Sequence, residues 1–346
     1  MQQNMIGHNI IITEPSSNLR ALGRNALAGK WKIAILAYIV YLVCVQLPPA
    51  VFDSFLGLNI GDVSSPYDYG TGAVSADFYS QVYNSMPSVS PLSSIYVLII
   101  SGPFTLGITI FFLALFRKQE VVITDIFLGF ERFGKALGLF LFQGLFIVLW
   151  AMIGVAVMII GVVVMTFTIT GGTVIMIIGA IISAALAIIA SLKYAQAFFI
   201  LSDNPDLGIR ECVDESKMLM KGNKSKYFLL QLSFIGWIIL SCLPMGILSG
   251  ISEVLQTSPI ISVIIAVIAE LFLAPVEVYL FSAITGFYEI LAGHLIKETE
   301  PAPLSHIAAE VPREVESDVH MSSVEKSTVI HETNDFEQKQ KTEKEE

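Results

Sequence analysis

The sequence predicts an all-α protein that crosses a membrane six times and carries amphipathic helices at the membrane surface. Three observations lead to this prediction. Hydrophobic residues make up 54% of the 346-residue chain and charged residues only 14%, and the mean hydropathy of +0.70 is higher than a soluble domain of this length would show. The twenty Lys and Arg residues fall in four clusters. Each apolar gap between these clusters is long enough for the chain to cross a bilayer and return.

The basic clusters also predict the topology. Lys and Arg are absent from residues 33–116, 136–192 and 227–296. If each of these gaps forms a hairpin of two spans, all the basic residues lie on one side of the membrane. The positive-inside rule makes that side the cytoplasm, so we expect both termini to be cytoplasmic.

The chain is divided accordingly into three parts. We expect a cytoplasmic N-terminal segment at residues 1–32, a membrane domain at residues 33–296 and a cytoplasmic tail at residues 297–346. Apolar stretches of about twenty residues or more, the length that a bilayer core requires, mark the six spans. These lie at about residues 33–52, 95–116, 137–167, 173–201, 227–248 and 260–282, the last helix continuing to about residue 291.

Two amphipathic segments are predicted at the cytoplasmic surface. Ser17 can cap a short helix with Leu19, Leu22 and Leu27 on one side, and the basic residues of this helix favour a position flat on the inner leaflet. Residues 124–135 mix aromatic and charged side chains in a similar way, which is typical of a surface helix leading into the next span.

The first two spans are joined by a long outer loop at residues 53–93, which contains no basic residue. Its aromatic side chains suit a membrane interface, and a ligand-binding loop is the alternative. Gly102-Pro103 predicts a kink in the second span.

The third and fourth spans come from residues 136–192, fifty-seven residues without Asp, Glu, Lys, Arg or His. This stretch is too long for one crossing, and Gly171-Gly172 is the expected reversal point. In the fourth span, small residues recur at every fourth position and predict a seam against which another helix packs closely. They are Gly179, Ser183, Ala187 and Ser191.

A cytoplasmic helix is predicted between the fourth and fifth spans. Asp203-Asn204-Pro205 would open it with a capping residue followed by proline, and Gly222-Asn223 would close it.

The C-terminal tail differs in character from the membrane domain, since residues 297–346 hold thirteen Asp and Glu residues against six Lys and Arg. This net charge of −7 and the scarcity of large apolar residues predict disorder.

Glu270 and Glu277 are the candidate functional residues of the last span. They are seven residues apart, which brings them to nearly the same helix face, with Pro275 between them. A carboxylate at membrane depth costs free energy and therefore indicates function, such as proton or cation coupling. The alternative is structural: Glu270 is protonated or hydrogen-bonded to a neighbouring helix, and Glu277 reaches the inner interface.

The sequence offers little support for catalysis, metal binding or a cofactor. No nucleophile motif, Gly-rich phosphate loop or paired-Cys metal motif occurs, and we expect no catalytic, cofactor or metal residues. Several acidic residues around the predicted cytoplasmic helix alternate with Arg210 and Lys217, which is typical of a solvated face rather than of a metal site. They are Asp203, Asp206, Glu211, Asp214 and Glu215. Nucleic acid is not expected as a partner because the basic clusters are small and are explained by topology.

Three stretches carry a resemblance to a known family. LRALGRNALAGKWKIAI at residues 19–35, ILSDNPDLGIRECVDESKMLMKGNKSKYFLLQLSFIGWIIL at residues 200–240 and APVEVYLFSAITGFYEIL at residues 274–291 resemble segments of the bacterial integral-membrane family called domain of unknown function 975. The resemblance implies a multi-pass protein in the bacterial cell membrane and brings no established activity. It marks as a motif Asp203, Asn204, Pro205, Ser216, Lys221, Gly222, Asn223, Lys224, Gly236 and Trp237.

This motif suits a structural elbow between the fourth and fifth spans, and a ligand site is the alternative. As function we expect a non-enzymatic membrane factor that acts through contacts with membrane lipid or other membrane proteins. A transporter or transporter accessory that uses Glu270 and Glu277 is the second hypothesis, and an intramembrane enzyme is the third.

Overall fold

The computed structural model describes residues 10–56, 90–254 and 258–295. The greater part of the predicted outer loop and the whole predicted tail lie outside these residues. Within them the chain is helical and contains no β-strand, which confirms the predicted all-α class. The helices are α1 (Ser16–Ala26), α2 (Trp31–Val45), α3 (Leu47–Leu56), α4 (Pro91–Phe116), a 3₁₀ helix (Ile123–Arg132), α5 (Phe133–Met165), α6 (Ile169–Tyr194), α7 (Ala197–Asp203), α8 (Ile209–Leu219), α9 (Lys224–Leu232), α10 (Ile235–Val254) and α11 (Pro259–Leu291).

The described helices include six segments that are long and apolar enough to cross a membrane, as the sequence predicted. Several of them combine two consecutive helices, because a short break interrupts the hydrogen bonding without ending the apolar run. The segments are Trp31–Leu56, Pro91–Phe116, Ile123–Met165, Ile169–Asp203, Lys224–Leu248 and Val263–Leu291.

Proline explains one break but does not interrupt the later helices. Pro48 and Pro49 lie in the first turn of α3, where their missing N–H groups are tolerated, and α2 ends just before them. By contrast, α4 runs through Pro103 and α11 runs through Pro275. The two prolines therefore do not divide these spans into half-helices.

The α5–α6 hairpin reverses earlier than predicted. Residues 166–168 make the turn, and Gly171-Gly172 lies inside the first turn of α6, where Gly172 packs on Met165. The predicted small-residue seam is real at Gly179 and Ser183, which contact α5. It does not extend to Ser191, whose side chain is exposed.

The two predicted surface segments pack on the helix bundle. In α1, which begins after the N-cap Pro15 with Ser17 already inside it, Leu19 is fully buried. The hydroxyl of Ser282 in α11 donates to the carbonyl of Gly23 at 2.9 Å, so α1 is held against protein. The segment after α4 forms a 3₁₀ helix that packs closely along α4.

The first three basic clusters meet at one end of the bundle, which we call the basic end. Lys30 Nζ donates to the carbonyl of Gln119 at 2.8 Å, and Lys135 Nζ donates to the carbonyl of Pro205 at 2.6 Å. These bonds link the regions before α2, after α4 and after α7. The first three basic clusters, which are far apart in the sequence, are therefore close together in the structure.

The close packing of the α5–α6 hairpin predicts the effect of one methyl group. A Cβ on Gly154 would overlap the backbone of Ser183, whereas a Cβ on Gly144 of the same helix would meet open space. We expect Gly154→Ala to lower the free energy of unfolding by about 1–3 kcal/mol through overpacking. Thermal unfolding of the purified protein in detergent measures this loss.

Gly144→Ala is the matched control, because it adds the same methyl group and the same helix propensity. Its melting temperature should equal or exceed that of the wild type. Equal melting temperatures for the two variants would contradict the packing described for Gly154.

Candidate functional site

Polar side chains from three helices converge at the basic end. We call this group the ion cluster and define it as Arg117, Asp203, Tyr288, Glu289 and His294. Among the described residues it joins parts of the chain far apart in sequence, since Arg117 and Glu289 are separated by 172 positions. Its geometry depends on where three helices end.

Each member of the ion cluster stands at or near a helix C-terminus. Arg117 directly follows α4, Asp203 is the last residue of α7, and Tyr288 and Glu289 lie in the last turn of α11. After α11 the chain turns at Gly293, which has a φ of +78°, a conformation that favours glycine. This turn brings His294 back to the helix end.

Arg117 binds both carboxylates of the cluster. Its Nη1 and Nη2 donate to the two oxygens of Asp203 at 2.7 and 2.9 Å, and its Nε donates to Glu289 Oε1 at 2.8 Å. The two-point contact with Asp203 is the geometry in which a guanidinium binds a carboxylate most strongly. Tyr288 adds a hydroxyl that donates to Asp203 Oδ2 at 2.8 Å.

Burial makes these contacts energetically important. The side chain of Glu289 is 3% exposed and that of Asp203 is 11% exposed, while Arg117 is 31% exposed. Both carboxylates also stand at helix C-termini, where the helix dipole disfavours negative charge. The hydrogen bonds that Arg117 donates to Asp203, followed by the charges of both carboxylates, hold the pKa of Arg117 above its ordinary value against the opposing effect of burial.

His294 completes the cluster on its open side. Its Nδ1 lies 2.9 Å from Glu289 Oε2 and 3.4 Å from Arg117 Nη2. A single nitrogen cannot donate to Glu289 and accept from Arg117 at once, and the shorter contact assigns the proton to Nδ1. The formal charges of Arg117, Asp203 and Glu289 sum to −1.

The motif residues Asp203, Asn204 and Pro205 do not open a helix, so that prediction is wrong. Asp203 and Asn204 end α7, and the next helix begins at Ile209 after Gly208. The N-terminus of α8 is instead capped by Glu211, whose carboxylate accepts from the Gly208 N–H at 2.8 Å. The physical reason is that Asp203 is committed to Arg117.

Ser216 holds the break between α6 and α7. Its hydroxyl donates to the carbonyl of Lys193 at 3.0 Å and accepts from the backbone N–H of Gln196 at 3.2 Å. A break in an apolar helix frees backbone groups that need new partners. Ser216 supplies two of them from α8 and is fully buried.

Asn223 binds the chain's own N-terminal region. We call residues 10–13 the strap; they form neither helix nor strand. Asn223 Oδ1 accepts from the Ile12 N–H at 2.9 Å, and Nδ2 donates to the carbonyls of Ile10 and Leu219 at 2.7 and 2.9 Å. Gly222 does end the preceding helical region in a left-handed conformation, with a φ of +86°.

The remaining motif residues face outward or pack little. Lys221 is exposed and Lys224 is half-buried at the start of α9. Nothing lies within 4 Å of a Cβ placed on Gly236, and Trp237 is 55% exposed on the apolar surface of α10. The inward-facing members, Asp203, Ser216 and Asn223, thus carry the contacts of the motif.

Glu270 and Glu277 are both half-buried in α11, away from the ion cluster. Glu277 interacts electrostatically with Glu270 and with Tyr38 and Tyr41 of α2. Within the described chain neither carboxylate has a cationic partner.

The predicted solvated face is confirmed for Glu211 and Asp214 of α8, which are exposed, but is wrong for Asp203, which is taken up by the ion cluster. Lys217 donates to Asp214 at 2.8 Å, and this bond lowers the pKa of the exposed Asp214 carboxyl. Burial instead raises the pKa of Glu215. Across the described ranges, no group of His, Cys, Asp and Glu side chains has the arrangement of a metal site.

Sequence reasoning missed four members of the ion cluster: Arg117, Tyr288, Glu289 and His294. One signal was present, because Glu289 is a carboxylate in the last apolar segment and needs a cationic partner to be buried. The strap was also missed, since its short sequence has no periodic pattern.

The comparison with known families agrees with the resemblance of the three stretches. The family described as "Protein of unknown function (DUF975)" matches residues 13–294. No curated protein sequence and no solved structure matches the chain.

The ion cluster predicts a large effect of removing its cation. Arg117→Ala leaves two buried carboxylates without their shared partner, a change that costs about 3–5 kcal/mol at a fully buried site. Because the Arg117 side chain is partly exposed, we expect the free energy of unfolding to fall by about 2–4 kcal/mol. Denaturant unfolding in detergent gives this value.

Arg210→Ala is the control for this variant. Arg210 lies 4.0 Å from Asp214, and both side chains are mostly exposed, so the loss should stay below about 1 kcal/mol. A comparable loss for the two arginines would show that the ion cluster does not stabilise the fold as described.

Proposed function

The chain belongs to the DUF975 family, and from this premise we propose that it is a non-enzymatic membrane factor acting through contacts with lipid or with other membrane proteins. We place it in the bacterial cell membrane with both termini in the cytoplasm, because the first three basic clusters share one end of the bundle and basic residues are retained on the cytoplasmic side.

The α5–α6 hairpin is the observation that carries this proposal. Its two helices pack on each other through small residues such as Gly154 and Gly179. Their other faces are apolar and exposed along most of their length, with Ile159 of α5 at 59% and Ile181 of α6 at 64%. In a bilayer such faces are covered only by lipid or by helices of other proteins.

A second apolar surface supports the same conclusion. A groove of about 470 Å³ runs between α10 and α11 on the outside of the bundle. Since both helices belong to predicted spans, the groove would face hydrocarbon. Its lining is entirely apolar: Leu240, Leu243, Pro244, Ile247, Leu248 and Phe272.

The exposed face of α8 offers a surface on the cytoplasmic side. Arg210, Asp214 and Lys217 project from it, and their mixed charges suit a polar partner surface more than a lipid headgroup. We propose this face and, separately, the acidic tail as places where further partners dock.

A transporter, or an accessory of one, is the second candidate. The observation in its favour is the electrostatic interaction of Glu277 with Tyr38 and Tyr41 of α2 and with Glu270 of its own helix. Ionisable groups that face the interior of a helix bundle are typical of ion and proton pathways.

The first candidate predicts a pattern of cross-links in cells. A photoreactive amino acid at Ile159 or Ile181 should form adducts with a discrete membrane protein, because these side chains point away from the hairpin. The same amino acid at Leu139, which is fully buried in α5, is the control and should give none. Adduct formation is read by gel shift and mass spectrometry.

A bulky substitution separates a specific contact from chance proximity. Ile159→Trp should remove the adduct formed from position 181 while leaving the abundance of the protein intact. The proposal that the hairpin binds other membrane proteins would be rejected if neither exposed position formed a protein adduct. It would also be rejected if the buried position formed adducts equally well.

The second candidate predicts a transport defect. Replacing Glu270 or Glu277 with Gln keeps the size and hydrogen-bonding shape of the side chain but removes its titration. Uptake or export linked to the protein should then be lost with unchanged membrane abundance. Unaltered transport at normal abundance would reject a role for these carboxylates.

A further inference from the structure

The strap lies on the turn at Gly222 and Asn223, where Asn223 holds its backbone by hydrogen bonds. Asn223 is fully buried, and its side-chain amide uses both its oxygen and its nitrogen on one short segment of backbone. Flipping the amide would place its NH₂ group against the Ile12 N–H, so the bonding pattern fixes its orientation.

The turn contacts the strap in two ways, through the backbone of the strap and through one of its side chains. The bonds from Asn223 to the Ile10 carbonyl and the Ile12 N–H do not depend on sequence, as in the recognition of a peptide by a neighbouring strand. Specificity comes from Ile12, which is 2% exposed and belongs to the core around α7, α8 and the end of α11. Lys226 adds a bond from Nζ to the Thr13 carbonyl at 3.2 Å.

The strap is attached lightly compared with the helices. The side chain of Ile11 is 61% exposed, and it lies against the backbone of Gly222. Only one side chain of the Ile10, Ile11 and Ile12 triplet is deeply buried. Release of the strap would leave every helix intact, and short segments of this kind open at low free-energy cost.

We propose that the Gly222-Asn223 turn is a binding site for a short aliphatic peptide, occupied in cis by the strap and open to the aliphatic segment of a partner protein when the strap leaves. This inference deepens the proposed function, on which it rests, by naming the chemistry of one partner. It also gives the buried Asn of the motif a binding role.

The test uses the full-length protein and a labelled synthetic peptide of residues 9–16. Ile12→Asp weakens the strap in cis, because a carboxylate cannot enter the core at that position. The peptide should bind the Ile12→Asp protein in a fluorescence-anisotropy titration and bind wild type at least about tenfold more weakly, since the wild-type site is filled.

Two controls locate the binding. Adding Asn223→Ala to Ile12→Asp should weaken peptide binding at least about tenfold, because two backbone bonds are lost. Adding Lys221→Ala, a change at an exposed neighbour with no contact to the strap, should leave binding unchanged. A peptide carrying Asp in place of Ile12 should not bind any of the proteins.

Every other result overturns the inference. Binding that is indifferent to Asn223→Ala or to the Asp-substituted peptide would be nonspecific, and a folded Ile12→Asp protein that binds no peptide up to about 1 mM has no such site. If Ile12→Asp unfolds, a variant with residues 10–13 replaced by Gly and Ser takes its place. Unfolding of that variant as well would make the strap a fixed part of the fold.

The hairpin cross-links test the proposed function independently. Peptide binding without hairpin adducts would support the peptide site and reject the proposed hairpin contact. Hairpin adducts without peptide binding would support the hairpin contact and reject the peptide site.

Discussion

The basic end of this protein depends on one arginine. Asp203 and Glu289 are buried at the C-termini of two different helices, where both desolvation and the helix dipole oppose a negative charge. Arg117, at the end of a third helix, bonds to both. Because the three helices come from distant parts of the chain, this guanidinium fixes how the second, fourth and sixth membrane segments end relative to one another.

The inward-facing residues of the motif, between the fourth and fifth spans, also provide partners for polar groups at the basic end. Asp203 connects the elbow to the ion cluster, Ser216 satisfies the backbone freed between α6 and α7, and Asn223 holds the strap. Each inward-facing polar residue of the motif therefore supplies a partner to groups that would otherwise be buried without one. The α5–α6 hairpin has the opposite character, since the outward faces of its two helices are apolar and exposed.

The sequence predicted the number and order of the spans because long apolar runs and sorted charges are physical requirements of a bilayer. It did not predict the breaks at Gln46 and Gln196, since short interruptions of an apolar run leave little trace in hydropathy. Nor did it reveal the pairing of Arg117 with Glu289, which requires knowing where two helices end in space. The role given to Asn204 and Pro205 was wrong because a local capping pattern competed with the tertiary contact of Asp203.

A double-mutant cycle between Arg117 and Glu289 tests this account most directly. The free energies of unfolding of wild type, Arg117→Gln, Glu289→Gln and the double variant would be measured in the same detergent. If the guanidinium is what makes the buried carboxylate tolerable, the two changes should couple by about 2 kcal/mol or more, with Glu289→Gln relieving part of the Arg117→Gln defect. Additivity within about 0.5 kcal/mol would contradict the central place given to this pair.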